Sequence, residues 1–140
     1  MACGGFFLTG LLTGVWKYTQ MARSENAQAH YYVDIAHRTS LMYSFACVVV
    51  AHFAAMSALS NWVNTLAVAA QVLFFALAVF LYIVHGALGD TSNQLKRPHK
   101  LGRGQVPGVV VHAFMWALVA GELGGFVVLL YGAWLGGFTL

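Results

Sequence analysis

The chain has 140 residues, enough for one domain, of which 60% are hydrophobic and only 8% charged. Soluble domains carry about 25% charged residues, so this composition cannot cover a surface in water, and the bilayer is the solvent that fits. The net charge of +3 and pI near 9.1 would suit a nucleic-acid binder, but the basic residues are placed as topology determinants rather than as a patch.

A bilayer core takes about 20 apolar residues as helix, and four stretches come close to or exceed that. The expected fold class is all-α, a four-transmembrane-helix bundle forming a single membrane domain over residues 1–140. Residues 1–5 have no basic n-region, which argues against a cleaved signal peptide. Cys3 and Cys47 are far apart and form neither a metal-type pair nor a disulfide framework. Cys3 reads as an incidental terminal residue and Cys47 as a small helix-packing residue.

The first helix is expected over residues 4–21; it is the weakest, with Lys17 near its end in position to snorkel. Its Gly10 and Gly14 form a small-xxx-small pair that lets backbones approach. Residues 22–34 connect it to a second helix over 35–59, with Asp34 just before the positive end of that helix dipole. Ser60 and Asn61 can cap a third helix over 62–87, which Gly86 and Gly89 close. After a basic connection, Pro107 opens a fourth helix over 106–135, which carries Gly121, Gly124 and Gly125. Trp16, Tyr18, Tyr31, Tyr32, Trp62 and Trp134 sit near helix ends, as in an interfacial aromatic belt.

Lys17, Arg23, Arg38, Lys96, Arg97, Lys100 and Arg103 are all 7 Lys and Arg residues, and all lie in or beside the two longer connections. The positive-inside rule places both connections in the cytoplasm and both termini outside it. The expectation is a multi-pass protein of a bacterial-type inner (cytoplasmic) membrane, with membrane lipid around it and no nucleic-acid partner.

Polar residues inside a bilayer are expensive and usually have a task. Counted at 1.5 Å per residue from the cytoplasmic helix ends, His37 and His85 lie roughly 3 Å in, Tyr82 and His112 roughly 8 Å, and Tyr43 roughly 12 Å. His52 and Glu122 form a second layer at about 25 Å, where pairing with each other would satisfy both. His30 and His99 read as ordinary loop residues, and His85 and His112 as helix-end or interhelical hydrogen-bond residues. His37 is followed on nearly the same face by Ser40, Ser44, Cys47 and Ala51, all small. One reading is a close helix seam capped by a hydrogen-bonded histidine. The other is a histidine beside room for a flat cofactor, with haem as the candidate and Arg38 near its propionates. Copper is disfavoured, since there is no His-x-His pair, Met–His cluster or Cys-x-x-Cys.

Four membrane helices, Ala36-His37 opening the second, and Tyr82 placed 45 positions after His37 resemble the styrene oxide isomerase family. Gly14-Val15-Trp16 is similar to part of that family's first helix, and the likeness spans roughly Phe7 to Trp134. The resemblance implies a small membrane protein that binds haem b and associates as a homotrimer. It makes His37 the axial ligand of a ferric iron that acts as a Lewis acid on a small hydrophobic aryl epoxide. Ring opening and a 1,2-hydride shift then give an aldehyde. The expected site residues are Tyr82 and Tyr43 for catalysis, and His37, Arg38 and Ser44 for the cofactor, with His37 as metal ligand. The chain departs from the pattern at Tyr43, where the family has asparagine, and at Arg38-Thr39-Ser40, in place of a Gly-Pro-containing turn. Tyr43 keeps a hydrogen-bond donor but is much larger, which leaves the substrate open. A second reading is a b-type cytochrome or haem-handling protein with His85 or His112 as second ligand. A third is a structural subunit without cofactor.

Overall fold

The computed structural model describes residues 1–138, which form four helices and one short hairpin. Helix α1 is Ala2–Arg23, α2 is Tyr31–Met56, α3 is Asn61–Leu88 and α4 is Gly108–Leu135. Helices α2, α3 and α4 are long and apolar enough to cross a membrane. The 22-residue α1 is shorter and not apolar enough, because Thr9, Thr13, Thr19, Gln20, the charged Lys17 and Arg23, and several glycines dilute it. Of the four expected helices, three are thus long and apolar enough to cross, and the first, expected to be the weakest, is of mixed character.

Helix α2 begins at Tyr31 rather than at Ile35 because His30 caps it. The His30 Nδ1 accepts the Tyr32 N–H at 3.3 Å, satisfying a first-turn amide, and the His30 N–H donates to Gln20 Oε1 at 2.8 Å. His30 is therefore a structural cap, not an ordinary loop residue. Asp34 falls inside the first turn instead of preceding it, where it still meets the positive end of the dipole. Gly89 closes α3 in the left-handed region at φ 58° and donates its N–H to His85 O at 2.9 Å.

Between α3 and α4 the chain forms an unanticipated antiparallel hairpin, β1 Lys100–Leu101 and β2 Gly104–Gln105. Gly102 makes its turn at φ 61°, a conformation costly for residues with a Cβ. Pro107 serves as N-cap of α4. One π-helical turn, Ala120–Gly124, interrupts α4 at mid-length.

Helix α1 runs antiparallel along α2. Phe6 packs edge-on to Tyr43 near one end, and Lys17 pairs with Asp34 near the other. Between them, a Cβ on Gly10 would lie 2.6 Å from Leu41 Cδ2. The core behind this seam holds Phe6, Cys47, Phe75 and Val79, with Cys3 packed against it. Cys47 is the expected packing residue, and Cys3 joins the same cluster. A second core, Val50, Ala67 and Leu129, joins α2, α3 and α4. Gly125 lets α4 reach α3, since a Cβ there would lie 2.8 Å from Ala67 O.

Candidate functional site

His37 sits in the α1–α2 seam. Its Nδ1 lies 2.8 Å from Gly10 O, and because a carbonyl only accepts, Nδ1 carries the proton. The imidazole is thereby fixed as the tautomer whose Nε2 holds a lone pair, the arrangement typical of metal-ligating histidines. Nε2 has no partner among the described residues. Gly14 makes the room, since a Cβ there would lie 2.9 Å from His37 Cε1 and 3.0 Å from Nδ1. The Gly10/Gly14 pair thus seats Leu41 and His37, beyond merely letting two backbones approach. Leu11, Val15, Met42 and Phe45, neighbours on the same two helices within about two turns, are all exposed.

The small-residue face after His37 is filled over Ser40, Ser44 and Cys47, while Ala51 beyond them is exposed. Ser40 and Ser44 are buried, with hydroxyls donating to Ala36 O at 2.7 Å and Leu41 O at 2.6 Å. Ser44 therefore contributes small size to a helix seam, not a hydroxyl to an open slot. The Arg38 side chain is 71% exposed and makes a long 3.4 Å pair with Asp34, whose closer partner is Lys17.

Tyr43 stands farther along α2, between Phe6 of α1 and Phe75 of α3. Its ring stacks on Phe75 at 4.0 Å and 14°, and its hydroxyl donates to Glu122 Oε1 at 3.3 Å. Glu122 lies in the π-helical turn of α4, a local geometry frequent at functional sites. It borders an open cleft of about 510 Å³ with Gln71, Phe75, Leu118 and Phe126. The expected His52–Glu122 pair is corrected: His52 is exposed, and its ring meets Phe53 edge-on instead. The depth count misplaced these residues because α2 starts at Tyr31. From the observed helix starts Tyr43 lies about 18 Å in and Glu122 about 21 Å, one layer, whereas His52 lies about 32 Å in.

A third group occupies the ends of α2 and α3 and the connection to α4. Tyr32 stacks on Tyr82 at 5.8 Å, packs against His85 at 5.0 Å, and accepts the Gln94 N–H at 2.6 Å. His85 Nδ1 pairs with Asp90 Oδ1 at 2.8 Å, both side chains nearly fully buried. Asp90 Oδ2 also accepts the Gly102 N–H, which ties the hairpin to the end of α3. Burial alone would raise the Asp90 carboxyl pKa, but the Gly102 amide and His85 outweigh it and hold the carboxyl below its usual range. His85 is the helix-end hydrogen-bond residue expected of it. His99 is not the ordinary loop residue expected: it is 6% exposed, with Nδ1 donating to Gln94 O at 3.1 Å. His112 is exposed, edge-on to His99.

Tyr82 borders a small groove of about 210 Å³ with Tyr32, Ile35 and Gln94. Its hydroxyl has no partner among the described residues. No described contact joins Tyr82, Tyr43, His85 or His112 to His37, so the expected metal ligand stands apart from both expected catalytic tyrosines within one chain. Among the described residues, no three His, Cys, Asp or Glu side chains gather as a metal cluster, so a metal reading rests on one imidazole and a prosthetic group's own donors. The Tyr43–Glu122 pair and the His85–Asp90–Gly102 link escaped sequence reasoning. The one available signal was an acidic residue inside an apolar helix, which demands a partner without naming it. Comparisons with protein-family models, curated proteins and solved structures find no significant match.

Proposed function

We propose that the chain is a membrane-embedded haem protein with His37 as axial ligand, and that it isomerises a small hydrophobic aryl epoxide to an aldehyde. The observation that carries the reading is the His37 Nδ1–Gly10 O bond, which fixes the tautomer and leaves Nε2 unpartnered. The donor set fits the group, since a single neutral imidazole suffices as protein ligand for haem b. A ferric haem b would supply a Lewis acid for the epoxide oxygen, and a 1,2-hydride shift then completes an isomerisation without net electron transfer.

The chain's own residues have defined parts in this reading. Gly10 O orients the His37 ring, and Gly14 gives it space. Leu11, Val15, Met42 and Phe45 offer exposed apolar surface for a flat group. Arg38, exposed and paired with Asp34 only at 3.4 Å, is the cation for the propionates. Ser44 keeps the seam narrow. Tyr82 is the phenol free to donate to the epoxide oxygen, and Tyr43 is the secondary one, being held by Glu122. Neither tyrosine touches His37 in a single chain, so the reading requires a second copy to complete the site, in a homotrimer like that of the family the sequence resembles.

We further infer that α1 spans the membrane with the other three helices. Its contacts with α2 run from Phe6–Tyr43 to Lys17–Asp34, so it shares the depth of a helix that is itself long and apolar enough to cross. All four spans then place both termini outside the cytoplasm. The deciding experiment is an absorption spectrum of the purified protein followed by incubation with styrene oxide. A Soret band with aldehyde formation is expected. Absence of the band ends the haem reading. A low-spin bis-histidine spectrum without turnover replaces the isomerase with a cytochrome.

A further inference from the structure

A groove at the start of α4 has no part in the reading above. It is open, about 830 Å³, and lined by Arg97, His99, Pro107, Gly108, His112 and Trp116 among others. Three features converge there. The α4 amides of Gly108 and Val109 find no acceptor among the described residues, and no side chain caps the helix. Arg97 is exposed on the rim. Independently, His99 Nε2 is buried with no hydrogen-bond partner, while Nδ1–H is committed to Gln94 O. It faces the helix start, since a Cβ on Gly108 would lie 3.4 Å from Nε2. A buried polar atom without a hydrogen bond is costly, so a partner is to be expected.

We propose that this groove binds the phosphate of an anionic phospholipid headgroup. Phosphate oxygens match the helix-start amides and the Arg97 guanidinium. The P–OH of a phosphomonoester headgroup, as in phosphatidic acid, can donate to the His99 Nε2 lone pair and satisfy the orphan nitrogen. The lipid source is favoured over a soluble phosphate by the apolar side of the same groove. Val109, Ala113 and Trp116 continue from the phosphate position along the exposed face of α4, as an acyl chain needs. Basic pockets beside membrane helices are known anionic-lipid sites.

The test is native mass spectrometry of the whole protein in detergent, titrated with dioleoyl phosphatidic acid, dioleoyl phosphatidylcholine or inorganic phosphate. Phosphatidic acid should be retained well over phosphatidylcholine, and Arg97→Gln should weaken it about 10-fold, the loss of one charge-assisted hydrogen bond. His99→Phe should weaken it similarly. Because His99 also ties Gln94, Gly108→Ala is the second variant: its Cβ would rest in van der Waals contact with Nε2, shielding that nitrogen from a phosphate oxygen, and should lower retention without altering helicity. Equal retention of phosphatidylcholine, or native-like binding by both Arg97→Gln and Gly108→Ala, overturns the proposal. Inorganic phosphate binding as tightly as the lipid overturns its lipid part.

Discussion

The Tyr43 hydroxyl donates to Glu122 Oε1 at 3.3 Å, joining α2 to the π-helical turn of α4 in the middle of the bundle. Interhelical hydrogen bonds of this kind in membrane proteins are worth about 0.6 kcal/mol, with a maximum near 1.7. Tyr43→Phe should therefore lower unfolding free energy by about 0.6–1.7 kcal/mol, measured by titration from detergent into sodium dodecyl sulfate. Glu122→Gln keeps a carbonyl acceptor and should cost less. If Tyr43→Phe and Glu122→Ala are both silent, the pair has no part in stability.

His37→Ala should lose most haem while the apolar helices still insert, because insertion follows hydropathy. Gly14→Ala should also reduce haem content, since its Cβ would lie 2.9 Å from His37 Cε1 and the ring must move. His52→Ala, at an exposed position, and His99→Ala should keep haem. Pyridine haemochrome absorbance per mole of protein measures all four. Full occupancy in His37→Ala would move the ligand to His85 or His112.

Tyr82→Phe removes a hydroxyl with no partner among the described residues, so stability should change little. If that hydroxyl meets the opening epoxide, turnover of styrene oxide should fall on the order of 100-fold, as for loss of one transition-state donor, with haem content unchanged. Unaltered turnover would make Tyr82 a packing partner of Tyr32 and nothing more.

Reporters at the two ends separate two questions about topology. A fusion after Leu140 should read as extracytoplasmic, because the basic connections flank α2, α3 and α4 whether or not α1 crosses. A fusion before Met1 should also read as extracytoplasmic if α1 spans. A cytoplasmic N-terminus with an outside C-terminus leaves α1 on the cytoplasmic side and removes the fourth span.

Asp90 links acidity to the stability of the α3–hairpin junction. Its folded carboxyl pKa lies below the ordinary value, so the native state binds fewer protons there than the unfolded state. The stabilisation is complete above the unfolded carboxylate pKa, near 3.9, and is lost as pH falls through the folded value. Asp90→Ala should cost about 1–3 kcal/mol at neutral pH by leaving the Gly102 amide and His85 without an acceptor. The gap between variant and native should close in strong acid. A constant gap from neutral to acid pH would assign the cost to packing alone.

What the amino-acid sequence determined by itself was set by composition and by local chemistry. Hydropathy over α2, α3 and α4 needs no tertiary knowledge, because transfer into lipid depends on each side chain and its neighbours along the chain. Gly89 as a left-handed stop and the clustering of Lys and Arg are likewise local facts. The start of α2 was not legible, because it depends on Gln20, ten positions before His30, holding the cap in place. Nor were the partners of the polar residues. Helical periodicity says that Glu122 and Tyr43 each need a hydrogen bond, but one is 79 positions from the other, and only the packing of α4 on α2 and α3 brings them together. His52 looked equally suitable when α2 was counted from Ile35, and the earlier start at Tyr31 carries it to a different depth. His37 shows both halves: its residue type suggested a ligand, while the approach of Gly10 O, made possible by two glycines on α1, decided which ring nitrogen is left unpartnered.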